Sequence, residues 1–138
     1  MKKLVCLAVL AGMVSLLSAG ATAQIKKGKT RPLTTKQLMG GLVKVNCGGI
    51  GEALKAAPAD DKAWEDLATK AALLNEASYT LMDDGRCPDG DWKKAAEMLR
   101  EGSAAVLAKV EAKDYAGTQA AFKGVTDACG ACHKAHKK

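Results

Sequence analysis

The chain has 138 residues, with 21 Lys and Arg against 15 Asp and Glu, a formal net charge of +6 at pH 7. Only five aromatic residues occur, Trp64, Tyr79, Trp92, Tyr115 and Phe122, and no Asn-Gly or Asp-Gly hairpin sits between alternating strands. This argues against an all-β fold and for helices, and the bases carry no interleaved aromatic motif of the kind that reads nucleic acid.

Residues 1–23 have the form of a secretory signal. Met1-Lys2-Lys3 is charged, Leu4 to Leu17 is almost unbroken apolar sequence, and Ala21-Thr22-Ala23 is a small-x-small cleavage site before Gln24. Cleavage there removes 23 of 138 residues and leaves 115, enough for one exported domain with one modest core. The apolar stretch is short for a membrane span, so the mature protein is expected to have none and to reside in the periplasm. Residues 24–33 lack apolar periodicity and read as a flexible leader, and residues 34–138 as the domain.

Four helical segments are predicted. The first runs from about Thr35 to Ala57, before Pro58. At about 100° per residue, Met39, Val43, Cys47, Ile50 and Leu54 share a face. Gly40 and Gly51 lie on the same side, where close approach of a flat ring would offset their cost in helix stability. The second starts at Asp60-Asp61 and carries the stripe Trp64, Leu67, Ala71, Leu74, Ser78, Leu81, ending near Met82. The loop Gly85 to Gly90 follows. Asp91 is expected to cap the third helix, with the stripe Trp92, Ala95, Leu99, Val106, Val110. The fourth starts at Asp114 or Tyr115 and continues through Phe122, Val125, Cys129 and Cys132. The expected fold is all-α, an antiparallel four-helix bundle, in which the Cys87 loop neighbours the end of the fourth helix. Trp64 and Trp92 read as packing anchors, and the acids Asp83, Asp84, Asp89 and Asp91 as a solvated loop.

The motif that carries chemistry is Cys129-Gly130-Ala131-Cys132-His133. Two thiols three residues apart on a helix can add to the two vinyl groups of one haem, and the next residue then reaches the iron. Gly130 and Ala131 are small enough for the porphyrin edge to lie close. A thioredoxin-like redox pair would need a βαβ setting, which is absent. A zinc site would need Cys47, Cys87 or His136 as further ligands. The pattern therefore predicts one covalent haem c on Cys129 and Cys132, with His133 as proximal iron ligand. His136 reads as a solvated terminal histidine.

A single C-x-x-C-H near the end of the fourth helix of a small exported bundle resembles the class II c-type cytochromes, of the cytochrome c′ and cytochrome c556 type. The resemblance spans the mature chain in architecture and the last helix in motif. Lys137 matches the basic position that follows the haem histidine in that family, while His136 stands where an aromatic is common. The resemblance implies a non-enzymatic electron carrier with a redox partner protein. The alternative it implies is the family's other activity, binding of NO or CO at an open iron. It is also compatible with a homodimer or a heterodimer. In the family the sixth ligand comes from the first helix. Cys47 is the candidate, as a thiolate in a His/Cys haem, and residues around it resemble such members; Met39 is the alternative should Cys47 be engaged in a disulfide. Cys47 has two further readings, a disulfide with Cys87 in an oxidising compartment and a small buried apolar residue.

Overall fold

The computed structural model of the protein describes residues 27–137. The signal sequence and its cleavage site lie outside the described residues. Four helices make up the described chain. The first, α1, begins as Thr35–Leu38, passes through a π-helical turn at Met39–Val43 and continues as Lys44–Ala53. It is followed by α2, Asp61–Met82, α3, Gly90–Glu111, and α4, Tyr115–His136. The contacts of α3 with α4 are the most extensive, then those of α2 with α3, while α1 packs mainly on α2 and touches α4. This arrangement is compatible with a helical bundle. Among the described residues no helix is long and apolar enough to cross a membrane.

Each helix starts on a side chain that satisfies an orphan backbone donor. Thr34 and Gln37 form a reciprocal capping box, with the Thr34 hydroxyl accepting from the Gln37 N–H at 3.2 Å and the Gln37 side-chain oxygen accepting from the Thr34 N–H at 2.9 Å. Asp60 accepts from the Ala63 N–H at 2.8 Å and Asp114 from the Gly117 N–H at 2.8 Å, as the sequence suggested. For α3 the cap is Asp89, which accepts from the Trp92 N–H at 2.9 Å, and not Asp91. Gly90 between them allows the helix to begin one residue earlier, so Asp91 lies in its first turn.

The end of α1 also departs from expectation. Its last helical residue is Ala53 instead of Ala57. Pro58 disfavours the helical region at the residue before it. In addition, the Leu54 carbonyl is taken by α4, accepting from the Tyr115 hydroxyl at 2.8 Å and the Gln119 amide at 3.0 Å.

The core is aliphatic. Ile50, Ala71, Leu74, Ala77, Val106 and Val125 are fully inaccessible, joined by Leu67, Leu81, Trp92, Leu99 and Val110. The stripes expected for α2 and α3 are therefore the buried ones, except that Trp64 is half-buried at the edge. Ser78 and Ser103 enter the core because each hydroxyl bonds a carbonyl of its own helix, Asn75 at 2.6 Å and Leu99 at 2.7 Å.

Between α3 and α4 the backbones approach closely at Gly102. A methyl group there would stand 2.9 Å from the Val125 nitrogen and 3.0 Å from the Gly124 carbonyl carbon. Backbone cannot rotate aside, so the helices must part. Gly102→Ala is expected to cost about 1–3 kcal/mol, against the small gain in helix propensity that Ala brings elsewhere. Urea unfolding of the variant measures this.

Residues 27–33, expected as a flexible leader, are bound to the α2–α3 connection. One carboxylate holds them: Asp84 accepts from the Thr30 N–H at 2.8 Å, the Thr30 hydroxyl at 3.1 Å and the Arg31 N–H at 3.0 Å. The Asp84 carbonyl accepts from the Lys29 N–H at 3.0 Å, and the buried Arg86 guanidinium donates to the Leu33 carbonyl at 2.7 Å. Asp84 and Gly85 adopt φ of 59° and 73°, the left-handed region that Asp and Gly tolerate best. Desolvation pulls the Asp84 carboxyl upward. The Arg31 and Thr30 hydrogen bonds and the Arg86 charge outweigh it and hold it below the usual carboxylate range. A depressed carboxylate stabilises above its unfolded pKa and loses that contribution as pH falls through the folded value. Asp84→Asn keeps the backbone conformation but loses an acceptor and the charge. Trypsin cleavage after Lys29 should rise on the order of 5-fold, the equivalent of about one hydrogen bond. Wild type should show the same release only as pH falls below the ordinary carboxylate range, read by hydrogen exchange of the Thr30 and Arg31 amides.

Candidate functional site

The site is built at the end of α4. Cys129 and Cys132 stand one turn apart, half-buried, and His133 follows on the same helix. Together they line a cleft whose other walls are Met39 and Val43 of α1, Leu81 of α2, and Trp92, Ala95, Ala96 and Leu99 of α3. All four helices therefore contribute. The cleft is narrow and partly open to solvent, with a cavity volume of about 30 Å³. Its lining is apolar apart from the motif itself.

Trp92 organises this end of the molecule. Its indole N–H donates to the Leu81 carbonyl at 2.8 Å, which ties the start of α3 to the end of α2. The His136 ring meets it edge-on, with centroids 5.2 Å apart and planes at 72°. His136 was expected to be a solvated terminal residue. Instead its side chain is only 12 % exposed, with Nε2 3.4 Å from an Asp89 carboxylate oxygen but without hydrogen-bond geometry. The acids expected as a solvated loop thus have separate roles, with Asp84 on the leader and Asp89 on the α3 cap and His136. Through Asp89 the Cys87 loop does reach the end of α4, as the topology suggested.

The π turn at Met39–Val43 reshapes α1 beside the cleft. Its defining bond runs from the Lys44 N–H to the Met39 carbonyl, five residues back. Buried positions along the helix are Thr35, Leu38, Val43, Asn46, Ile50 and Leu54, and the five-residue step from Leu38 to Val43 marks the wide turn. Val43, Ile50 and Leu54 of the expected stripe are buried, while Met39 and Cys47 are half-buried and Asn46 is buried beside Cys47. The Asn46 amide donates to the Leu42 carbonyl at 2.8 Å. Gly40 is exposed with open space around it, and the ring beside Gly51 is the protein's own Phe122, 3.6 Å from where a methyl would stand.

Met39 borders the cleft, and Cys47 does not. Hydrogen bonding to Cys129 outweighs burial and draws Cys47 down to about 7. The same contact, followed by burial, holds the proton on Cys129 and raises it. Burial, then the Asp89 charge, pushes Cys132 up to about 11. Burial, then the Lys137 charge, lowers His133 and favours the neutral imidazole, the form with a free lone pair for a metal. All four described cysteines are free thiols, and Cys87 donates to the Asp89 carbonyl at 3.4 Å. Among the described residues, no group of three or more His, Cys, Asp or Glu is arranged to hold a metal ion.

The residues present fit a haem bound through the motif: two thiols at the required spacing, a neutral imidazole beside them, and an apolar cleft at their side. Of the residues singled out from sequence, the structure brings Met39, Cys129, Cys132 and His133 to one cleft and leaves Cys47 outside it. Sequence reasoning did not identify Leu81, Ala96 or the π turn as parts of the site. No protein-family model, no curated protein and no solved structure matches the chain.

Proposed function

We propose that the protein is an exported one-electron carrier of the class II c-type cytochrome kind, an antiparallel four-helix bundle with one haem c near the end of α4. The observation that carries this reading is the position of Cys129, Cys132 and His133 on one apolar cleft bordered by Met39. Two contacts support the antiparallel order of α3 and α4: Trp92, early in α3, meets His136 at the end of α4, and Gly102 meets Gly124 and Val125. Bound haem supplies one-electron chemistry at its iron, with the potential set by axial ligation and burial. The chain's own residues do the rest. Cys129 and Cys132 anchor the group, the neutral His133 offers a ligating nitrogen, and Leu81, Trp92 and Leu99 exclude water.

Of the two sulfur ligands the sequence offers, the geometry favours Met39, since Met39 borders the cleft and Cys47 does not. The test is the spectrum of the ferric and ferrous protein beside its Met39→Leu and Cys47→Ser variants. Wild type and Cys47→Ser should be low-spin, and Met39→Leu high-spin, CO-binding and lower in potential. Val43, an apolar neighbour of Met39 on the same wall, favours a second reading, binding of NO or CO at an open iron. A high-spin wild-type spectrum that Met39→Leu leaves unchanged would select it.

A further inference from the structure

An open groove with a cavity volume of about 270 Å³ runs between α2 and α3 and shares no lining residue with the cleft. Ala72, Ala104, Leu107 and Ala108 line it, together with the carboxylates of Glu76 and Glu111. The Asn75 amide fixes the level of the two helices there, donating to the Arg100 carbonyl at 2.9 Å. Leu73 and Tyr79, each three residues from Glu76 on α2, are 38 % and 46 % exposed. The Arg100 guanidinium lies over the Tyr79 ring, 5.3 Å from its centroid. Along α3, Arg100, Ala104, Leu107 and Glu111 follow a 4-3-4 spacing and share one face. That stripe carries opposite charges at its two ends and a small and a large residue between them. Turned end for end, it matches itself, with Arg100 on Glu111 and Ala104 on Leu107. Among the described residues, neither Arg100 nor Glu111 takes part in an ion pair.

We propose that a second copy of the chain packs antiparallel on this groove, about a twofold axis at the level of Ala105 and Val106. Arg100 of each copy pairs with Glu111 of the partner subunit. Leu107 of each copy fills the space that the small side chains Ala104 and Ala108 leave open. The same patch serves both copies, so the contact closes on a dimer and does not propagate. Two helices of 22 residues, each roughly 33 Å long and 10 Å across, present a face of roughly 650 Å². Pairing two such faces hides roughly 1,300 Å², near the lower bound of a specific interface. Glu76 is exposed on the rim and keeps its water. The dimer does not depend on the proposed function, because the groove and the cleft have no residue in common.

Sedimentation velocity of the purified protein over a concentration series tests this. Wild type should form a dimer that dissociates on dilution and weakens as salt rises. Arg100→Glu and Glu111→Arg should each weaken it on the order of 10-fold or more, because like charges then face each other at both ends of the stripe. The double reversal, Arg100→Glu with Glu111→Arg, restores opposite charges at both ends and should bring the dimer back. Circular dichroism checks that each variant keeps its helices, and Glu111, exposed at the end of α3, is the change the fold tolerates most easily. A wild type that stays monomeric throughout the series overturns the proposal and leaves the groove to a different protein. A dimer that both single reversals leave intact uses another face and equally overturns it. Single reversals that dissociate the dimer, with a double reversal that stays monomeric, overturn the antiparallel pairing of Arg100 with Glu111.

Discussion

Trp92→Ala is expected to lower stability by about 3–5 kcal/mol, a large share of the roughly 5–15 kcal/mol that holds a domain together. Three losses combine. The side chain is 4 % exposed, so truncation leaves a cavity against Leu81 and Leu99. The Leu81 carbonyl loses its indole donor. The His136 ring loses the face it rests on, so the last turn of α4 frays next to His133. Trp92→Phe separates these effects. It keeps most of the packing and deletes the N–H, for an expected cost of about 1–3 kcal/mol. Urea unfolding measures both. If the alanine variant loses less than about 1 kcal/mol, Trp92 does not organise this end of the molecule.

The second large effect concerns the haem that the proposed function places on Cys129 and Cys132. Changing both Cys129 and Cys132 to Ser removes both sulfurs that can add to vinyl groups, and the proposed function predicts complete loss of denaturation-resistant haem. Each single change should leave one thioether and a chain that retains its colour in denaturant, with an absorption band shifted by the remaining free vinyl. Retention of colour by the double variant after denaturation would mean attachment elsewhere. Oxygen in place of sulfur changes little in volume, so the helix should survive. Circular dichroism of the double variant checks that.

How far each part could be read from sequence follows from the kind of information it uses. In α2 and α3 the 3-4 periodicity is strong and unbroken, so Leu67, Ala71, Leu74, Leu99 and Val106 could be placed in the core directly. The C-x-x-C-H motif was legible because its chemistry is set by covalent spacing along one chain. In α1 the same angular count found Val43, Ile50 and Leu54, but Met39 and Cys47 are only half-buried, and the π turn with its step from Leu38 to Val43 became visible only with burial in hand. The leader's attachment had no sequence signature, since Asp84 binds backbone N–H groups that any residues would offer. The contact of Gly102 with the α4 backbone is equally silent, because it replaces side-chain pattern with its absence. His136 was misjudged because its neighbours Trp92 and Asp89 come from another helix start. The cleft draws on all four helices, so its walls depended on the packing.

The charge distribution adds a constraint on partners. Lys134 on α4 and Lys137 just past its end are exposed near His133, and Lys36 and Lys44 are exposed on α1 to either side of Met39. A redox partner presenting acidic residues would be steered toward this end of the chain, with a rate that falls as salt rises.

The measurement that tests the central claim most directly is extraction of the purified exported protein with acidified acetone, followed by tryptic mapping. If Cys129 and Cys132 carry haem c, the red colour stays with the chain and travels with the peptide of residues 124–134. A colourless peptide with two free thiols, or colour that leaves in the acetone, would contradict covalent haem at this motif.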